Sequence, residues 1–179
     1  MLLRKQTSYN QTFSATMEFN PTVRGYEAGI VLWWSQYSYA TVGIVAHQDE
    51  NGNIVPRLTF REPSGEAGNV KVGVTFSPTT SLWLTLNQVS TSSHDLGSTQ
   101  IQFTIEARPI DYSLSAIETE SGRKEVIGAI LAPVETLTVA PPVGGCFTGV
   151  MFGVYSFGKG QPVLEPADFT NISITEVDA

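Results

Sequence analysis

The chain has 179 residues, within the range of one domain and enough to bury a core without disulfide or metal staples. Ten Lys and Arg against 17 Asp and Glu give a formal charge of −7 with no basic cluster, which argues against nucleic acid and anionic membrane surfaces as partners. One cysteine, Cys146, and two histidines, His47 and His94, exclude an internal disulfide and a Cys/His zinc site, so any metal must be held by oxygen.

Period-two alternation recurs along the sequence and nothing sustains a helical period, so every element is expected to be a strand. In chain order the strands are expected at Phe13 to Phe19, Ala28 to Ser35, Tyr39 to Ala46, Arg57 to Arg61, Val70 to Phe76, Leu82 to Val89, Ile101 to Ala107, Tyr112 to Ile117, Val126 to Leu131, Gly149 to Tyr155 and Asn171 to Val177. Asp49-Glu50-Asn51-Gly52-Asn53 reads as a hairpin tip, Pro63-Ser64-Gly65 and Ser121-Gly122 as turns, and Pro141-Pro142-Val143-Gly144-Gly145 as a longer connection. No repeat or interdomain linker interrupts this pattern, so residues 1–179 are expected to form a single all-β domain, a two-sheet jelly-roll sandwich.

Alternation also assigns faces. Ile101, Phe103 and Ile105 are expected in the core and Gln102, Thr104 and Glu106 outside it, while Leu82, Leu84 and Leu86 turn inward and Trp83 outward. Tyr155 is expected on an outer face with Gly149, Met151 and Gly153, where the glycines would open a shallow groove.

Consecutive residues on a strand face opposite sides of the sheet, so at least one of Trp33 and Trp34 turns away from the core. An exposed aromatic face among Ser, Gln and Tyr, as in Trp33-Trp34-Ser35-Gln36-Tyr37-Ser38-Tyr39, suits the C–H face of a sugar ring. Packing within the sheet accounts for each of these rings equally well.

A glycosidase needs two carboxylates in a cleft. The acids spaced for one strand face, Glu118 with Glu120 and Glu176 with Asp178, lie at a turn and at the chain end, and Asp49 sits in the hairpin tip. Glu18, Glu27, Glu62 and Glu106 lie on or near strands, and convergence among them stays open at this level. There is no Gly-x-Ser-x-Gly elbow, Cys146 reads as a small buried residue, and His47 and His94 lie in polar turn-like surroundings. Calcium is the candidate cation, with Asp168 as the acid to watch, against a capping or turn role for the same side chain. Asn10-Gln11-Thr12 and Asn171-Ile172-Ser173 are glycosylation sequons compatible with secretion. No apolar run approaches the roughly 20 residues of a membrane helix or forms a signal peptide, so the chain is either secreted by a signal outside these residues or intracellular.

Glu27-Ala28-Gly29-Ile30-Val31, Gly145-Cys146-Phe147-Thr148-Gly149-Val150-Met151-Phe152-Gly153-Val154-Tyr155 and Pro166-Ala167-Asp168-Phe169 resemble, in this order, the C-terminal β-sandwich of family-43 glycoside hydrolases. Leu3-Arg4-Lys5-Gln6-Thr7 and Glu18-Phe19-Asn20-Pro21 resemble its first strands, and the resemblance spans nearly the whole chain. It implies a concanavalin A-like jelly roll, the module appended to β-xylosidases and α-L-arabinofuranosidases and sometimes classed as xylan-binding. In such enzymes the module packs on a five-bladed propeller that carries the catalytic carboxylates, and that propeller is absent from these residues. Asp168 matches the position at the last strand where related sandwiches hold a structural calcium, without a matching set of further ligands. The doublet Trp33-Trp34 and the segment Pro78 to Gly97 depart from the family pattern.

The resemblance and the aromatics together imply a non-catalytic module of a hemicellulose-degrading enzyme that binds xylan or a related plant β-glycan on Trp33, Trp34, Tyr37, Tyr39, Trp83 and Tyr155. A purely structural domain packed on the propeller is the alternative, followed by a jelly-roll glycoside hydrolase.

Overall fold

A computed structural model gives the architecture for residues 1–35, 38–63, 70–73, 100–119, 124–131, 149–158 and 160–177. The expected strand Leu82 to Val89 with Trp83, the residues Tyr37, His94 and Cys146, and the turns at Ser64, Ser121 and Pro141 lie outside the described residues.

Among the described residues the alternating segments form eleven strands and no helix: β1 (Leu2–Lys5), β2 (Gln11–Glu18), β3 (Glu27–Ser35), β4 (Ser38–Gln48), β5 (Ile54–Pro63), β6 (Val70–Gly73), β7 (Gln100–Ala107), β8 (Asp111–Glu118), β9 (Lys124–Leu131), β10 (Met151–Phe157) and β11 (Asp168–Glu176). They pair antiparallel throughout, as a six-stranded sheet in the order β1-β10-β3-β4-β5-β6 and a five-stranded sheet in the order β11-β2-β7-β8-β9.

Strand β1 was expected only from the family resemblance of Leu3 to Thr7, because Leu2-Leu3-Arg4-Lys5 carries no alternation of its own. It is recruited by a partner far along the chain, with Leu3 opposite Gly153 and Lys5 opposite Met151 on β10. At the other edge pair, β11 meets β2 with a bulge between Thr170 and Ser173, where exposed Asn171 adopts φ +50°.

The two sheets close on a core that follows the alternation. Ala28, Ile30 and Leu32 of β3, Val42 and Ile44 of β4 and Phe152 of β10 meet Phe13, Ala15 and Met17 of β2 and Ile101, Phe103 and Ile105 of β7. Phe13 and Phe152 stack across the interior with ring centres 5.9 Å apart.

Polar side chains clasp the segments that cross between sheets. Buried Gln11 donates from Nε2 to Thr7 Oγ1 at 2.8 Å and accepts from the Thr7 amide at 3.2 Å, while the Tyr112 hydroxyl donates to Gln6 Oε1 at 2.9 Å. On the opposite crossing, the Thr22 amide donates to Glu165 Oε2 at 2.8 Å and the Tyr26 hydroxyl to the Pro162 carbonyl at 2.7 Å. The expected hairpin tip forms as read: Asp49 Oδ1 accepts from the amides of Asn51 and Asn53, and Gly52 turns at φ +86°.

Gly29 of β3 and Gly43 of β4 stand opposite each other in register. A methyl group on Gly43 would lie 2.2 Å from the Ala28 carbonyl oxygen and 2.7 Å from the Tyr155 hydroxyl, so the position admits no side chain without movement of both. Gly43→Ala is therefore expected to destabilise the fold by about 1–3 kcal/mol, the usual cost of forced overpacking. Urea unfolding followed by tryptophan fluorescence measures it, and an unchanged midpoint would contradict the close approach.

Candidate functional site: the outer face of the six-stranded sheet

Register across β1, β10, β3, β4 and β5 arranges the outer face of the larger sheet in rows. Lys5, Met151, Trp33 and Tyr39 share the first row, and Leu3, Gly153, Val31, Thr41 and Arg61 the second. Tyr155, Gly29, Gly43 and Thr59 make the third, and Phe157, Glu27, Val45 and Arg57 the fourth.

Openness differs sharply from row to row. In the first, Lys5 is exposed and Met151, Trp33 and Tyr39 are half-buried. Trp33 and Tyr39 stack on each other with centroids 5.5 Å apart and planes 20° from parallel, so each ring spends one face on its partner. The glycine groove expected beside Tyr155 is filled instead: a methyl group on Gly153 would come within 2.7 Å of Leu3 Cδ2, because strand β1 lays that side chain there.

Rows two to four enclose a charged cluster. Glu27 is fully buried at 0% exposure on the face that points away from the hydrophobic core. Its two carboxylate oxygens accept from Nη1 and Nη2 of Arg61 in a bidentate pair, and Oε1 also accepts from the Tyr155 hydroxyl at 2.7 Å. The Arg61 guanidinium lies over the Phe157 ring at 5.2 Å, and Phe157 in turn leans on Tyr155. Burial above all, then the charge and hydrogen bond of Glu27, holds the Tyr155 phenol well above its ordinary pKa.

These contacts sort the aromatics named from the sequence. Trp33 and Tyr39 come together on the outer face, as alternation allowed. Trp34 turns to the core side and packs against it, with its buried Nε1 lacking a hydrogen-bond partner. Tyr155 lies on the outer face as expected, but at 7% exposure, with its hydroxyl committed to Glu27. Tyr37 and Trp83 are outside the described residues.

Glu18, Glu27 and Glu106 do not converge, while the side chain of Glu62 lies outside the described residues. Glu18 and Glu106 belong to the five-stranded sheet, Glu106 pairing with Arg108 at 3.1 Å, whereas Glu27 belongs to the six-stranded one. Glu27 is the single acid among the described strand positions of its face, and Arg61 neutralises it, so this cluster offers no pair of the kind that cleaves glycosides. Asp168 opens β11, exposed and opposite Glu18, and no group of three or more His, Cys, Asp or Glu gathers there or elsewhere among the described residues. That falls short of the six or so oxygens calcium takes, unless carbonyls and water supply the rest.

Sequence reasoning missed the Glu27–Arg61 pair, whose members stand 34 residues apart on strands that flank β4. The only local signal was an acid and a base each placed on the outer parity of an apolar strand.

Comparisons with known proteins agree with this architecture. The family described as "Beta xylosidase C-terminal Concanavalin A-like domain" matches residues 1–175. The non-reducing end alpha-L-arabinofuranosidase BoGH43B of Bacteroides ovatus is 27% identical over 167 residues, covering 93% of this chain and 26% of that protein. Among solved structures, a GH43 protein of Bacillus licheniformis superposes with a TM-score of 0.65 at 16% identity, over 93% of this chain and 27% of its own. A xylan beta-1,4-xylosidase from Bacillus halodurans gives 0.62 at 15% identity, over 93% and 28%. The chain thus spans about a quarter of the length of these relatives, which it matches as their C-terminal portion. With two antiparallel sheets, the ordered motifs and a family match over nearly every residue, this chain belongs to the beta-xylosidase C-terminal concanavalin A-like domains of the family-43 glycoside hydrolases.

Proposed function

We propose that this chain is a non-catalytic accessory module of a secreted hemicellulose-degrading glycoside hydrolase, and that it holds xylan or a related plant β-glycan on the Trp33–Tyr39 pair. The observation that carries the reading is the first row of the outer face, where two stacked rings stand half-exposed beside a sheet surface otherwise closed by Leu3, Tyr155 and the Glu27–Arg61 pair. In this reading the other face of a ring takes the apolar side of a pyranose. Membership of a family found at the C-terminal end of arabinofuranosidases and xylosidases supports the substrate class.

Affinity in this reading is weak, since one or two rings and few buried hydrogen bonds leave little surplus over the cost of ordering the ligand. Electrophoresis of the chain through gels containing soluble xylan tests it. Retardation is expected for the unaltered protein, with Trp33→Ala lowering affinity about five-fold or more, as expected for loss of a stacked ring worth roughly 1–3 kcal/mol by analogy with base–aromatic stacking. Migration unaffected by xylan would overturn the reading.

A second reading, docking on the catalytic part of a longer enzyme, draws on a different surface. Tyr9, Ile110 and Val177 are all exposed at one end of the five-stranded sheet, where the Val177 amide bonds to the Asn10 carbonyl and Ile110 sits in the turn beside Gln11's partner Ala107. In this case the chain alone would bind no glycan.

A further inference from the structure

We propose that the trough between Trp33 and Lys5 receives a uronic acid carried by the β-glycan, so that the module prefers acid-substituted chains over neutral ones. This rests on the glycan-binding reading above and names the ligand chemistry within it.

Lys5 and Trp33 lie in the same row with only β10 between them, and Met151 of β10 occupies the intervening position. Two strand spacings put their backbones roughly 10 Å apart. A pyranose in van der Waals contact with the other face of Trp33 takes about 4 Å of this. The roughly 6 Å left over is spanned by the lysine side chain and a carboxylate on that ring, which meet at about 4 Å or less between N and O. The row therefore sets an aromatic ring on one side and a cation on the other, with the Met151 thioether between them.

Charge distribution favours an acid in that place. Lys5 is exposed and makes no ion pair among the described residues. It is the single charged residue of its row, and the one acid among the described strand positions of the whole face, Glu27, is buried and held by Arg61. No described strand residue of this surface thus repels an incoming carboxylate. The net charge of −7 over the chain disfavours a uniformly anionic polymer, which leaves a mostly neutral backbone with scattered uronates as the best match.

The test compares one polymer in two states, glucuronoxylan before and after chemical reduction of its carboxyl groups, by affinity electrophoresis at low salt. The unaltered chain is expected to bind the reduced polymer about three-fold more weakly, the size of one exposed ion pair, and to lose the difference at roughly 0.5 M salt. Lys5→Gln should bind both polymers alike at the weaker level, and Lys5→Arg should keep the preference. Equal retardation of the unaltered chain by both polymers, still abolished by Trp33→Ala, overturns the uronate assignment and leaves glycan binding intact. No retardation by either polymer overturns both.

Discussion

Arg61→Ala is expected to destabilise the fold by about 3–5 kcal/mol, the cost of leaving a buried carboxylate without its cation. Glu27 is wholly enclosed, and once Arg61 is gone its remaining partner is the Tyr155 hydroxyl. Removal also uncovers the face of Phe157, which carries the guanidinium. The double variant Glu27→Gln with Arg61→Met is expected to recover most of the loss, because two uncharged side chains of similar volume require no compensating charge. Urea titration of the single and double variants measures both. An Arg61→Ala penalty below about 1 kcal/mol would mean that Glu27 is solvated, contrary to its burial.

Phe152→Ala should cost a comparable amount, about 3–5 kcal/mol, by a different cause. Phe152 is fully buried on β10 and stacks on Phe13 of the opposite sheet, so truncation opens a cavity between the two layers. The backbone cannot collapse into that space easily, since β10 is paired on both sides, to β1 and to β3. For a chain of this size each kcal/mol lowers the melting temperature by roughly 2–4 °C, so a fall of about 10 °C is expected in calorimetry. Phe152→Leu, which keeps most of the volume, should recover the larger part.

Much of the fold was legible because alternation is a local signal. Phe13 to Met17 and Ile101 to Ile105 state their buried faces within five residues, and both sets lie in the core. Where pairing decides, alternation was silent. Strand β1, anticipated only through the family resemblance, has no pattern of its own and exists through its contact with β10 about 150 residues away, yet it supplies both Leu3, which fills the expected groove, and Lys5. Alternation limited Trp33 and Trp34 to opposite faces without saying which was which, because that depends on the sheet against which β3 packs. Tyr155 was assigned the right face, but the acid that takes its hydroxyl and the base that pairs with that acid are brought in by register across the sheet. The resemblance identified the family and gave no account of this cluster.

The bulge in β11 has a consequence for copies of the chain crowded side by side. Strand β11 borders the five-stranded sheet, and a flat edge of that length is a template on which a neighbouring chain can add its own strand. At Thr170–Ser173 the extra residue breaks the spacing of outward-facing amides and carbonyls, and the left-handed turn at Asn171 bends the strand out of line. Copies crowded together at high local concentration therefore meet along an interrupted edge, which disfavours edge-to-edge aggregation.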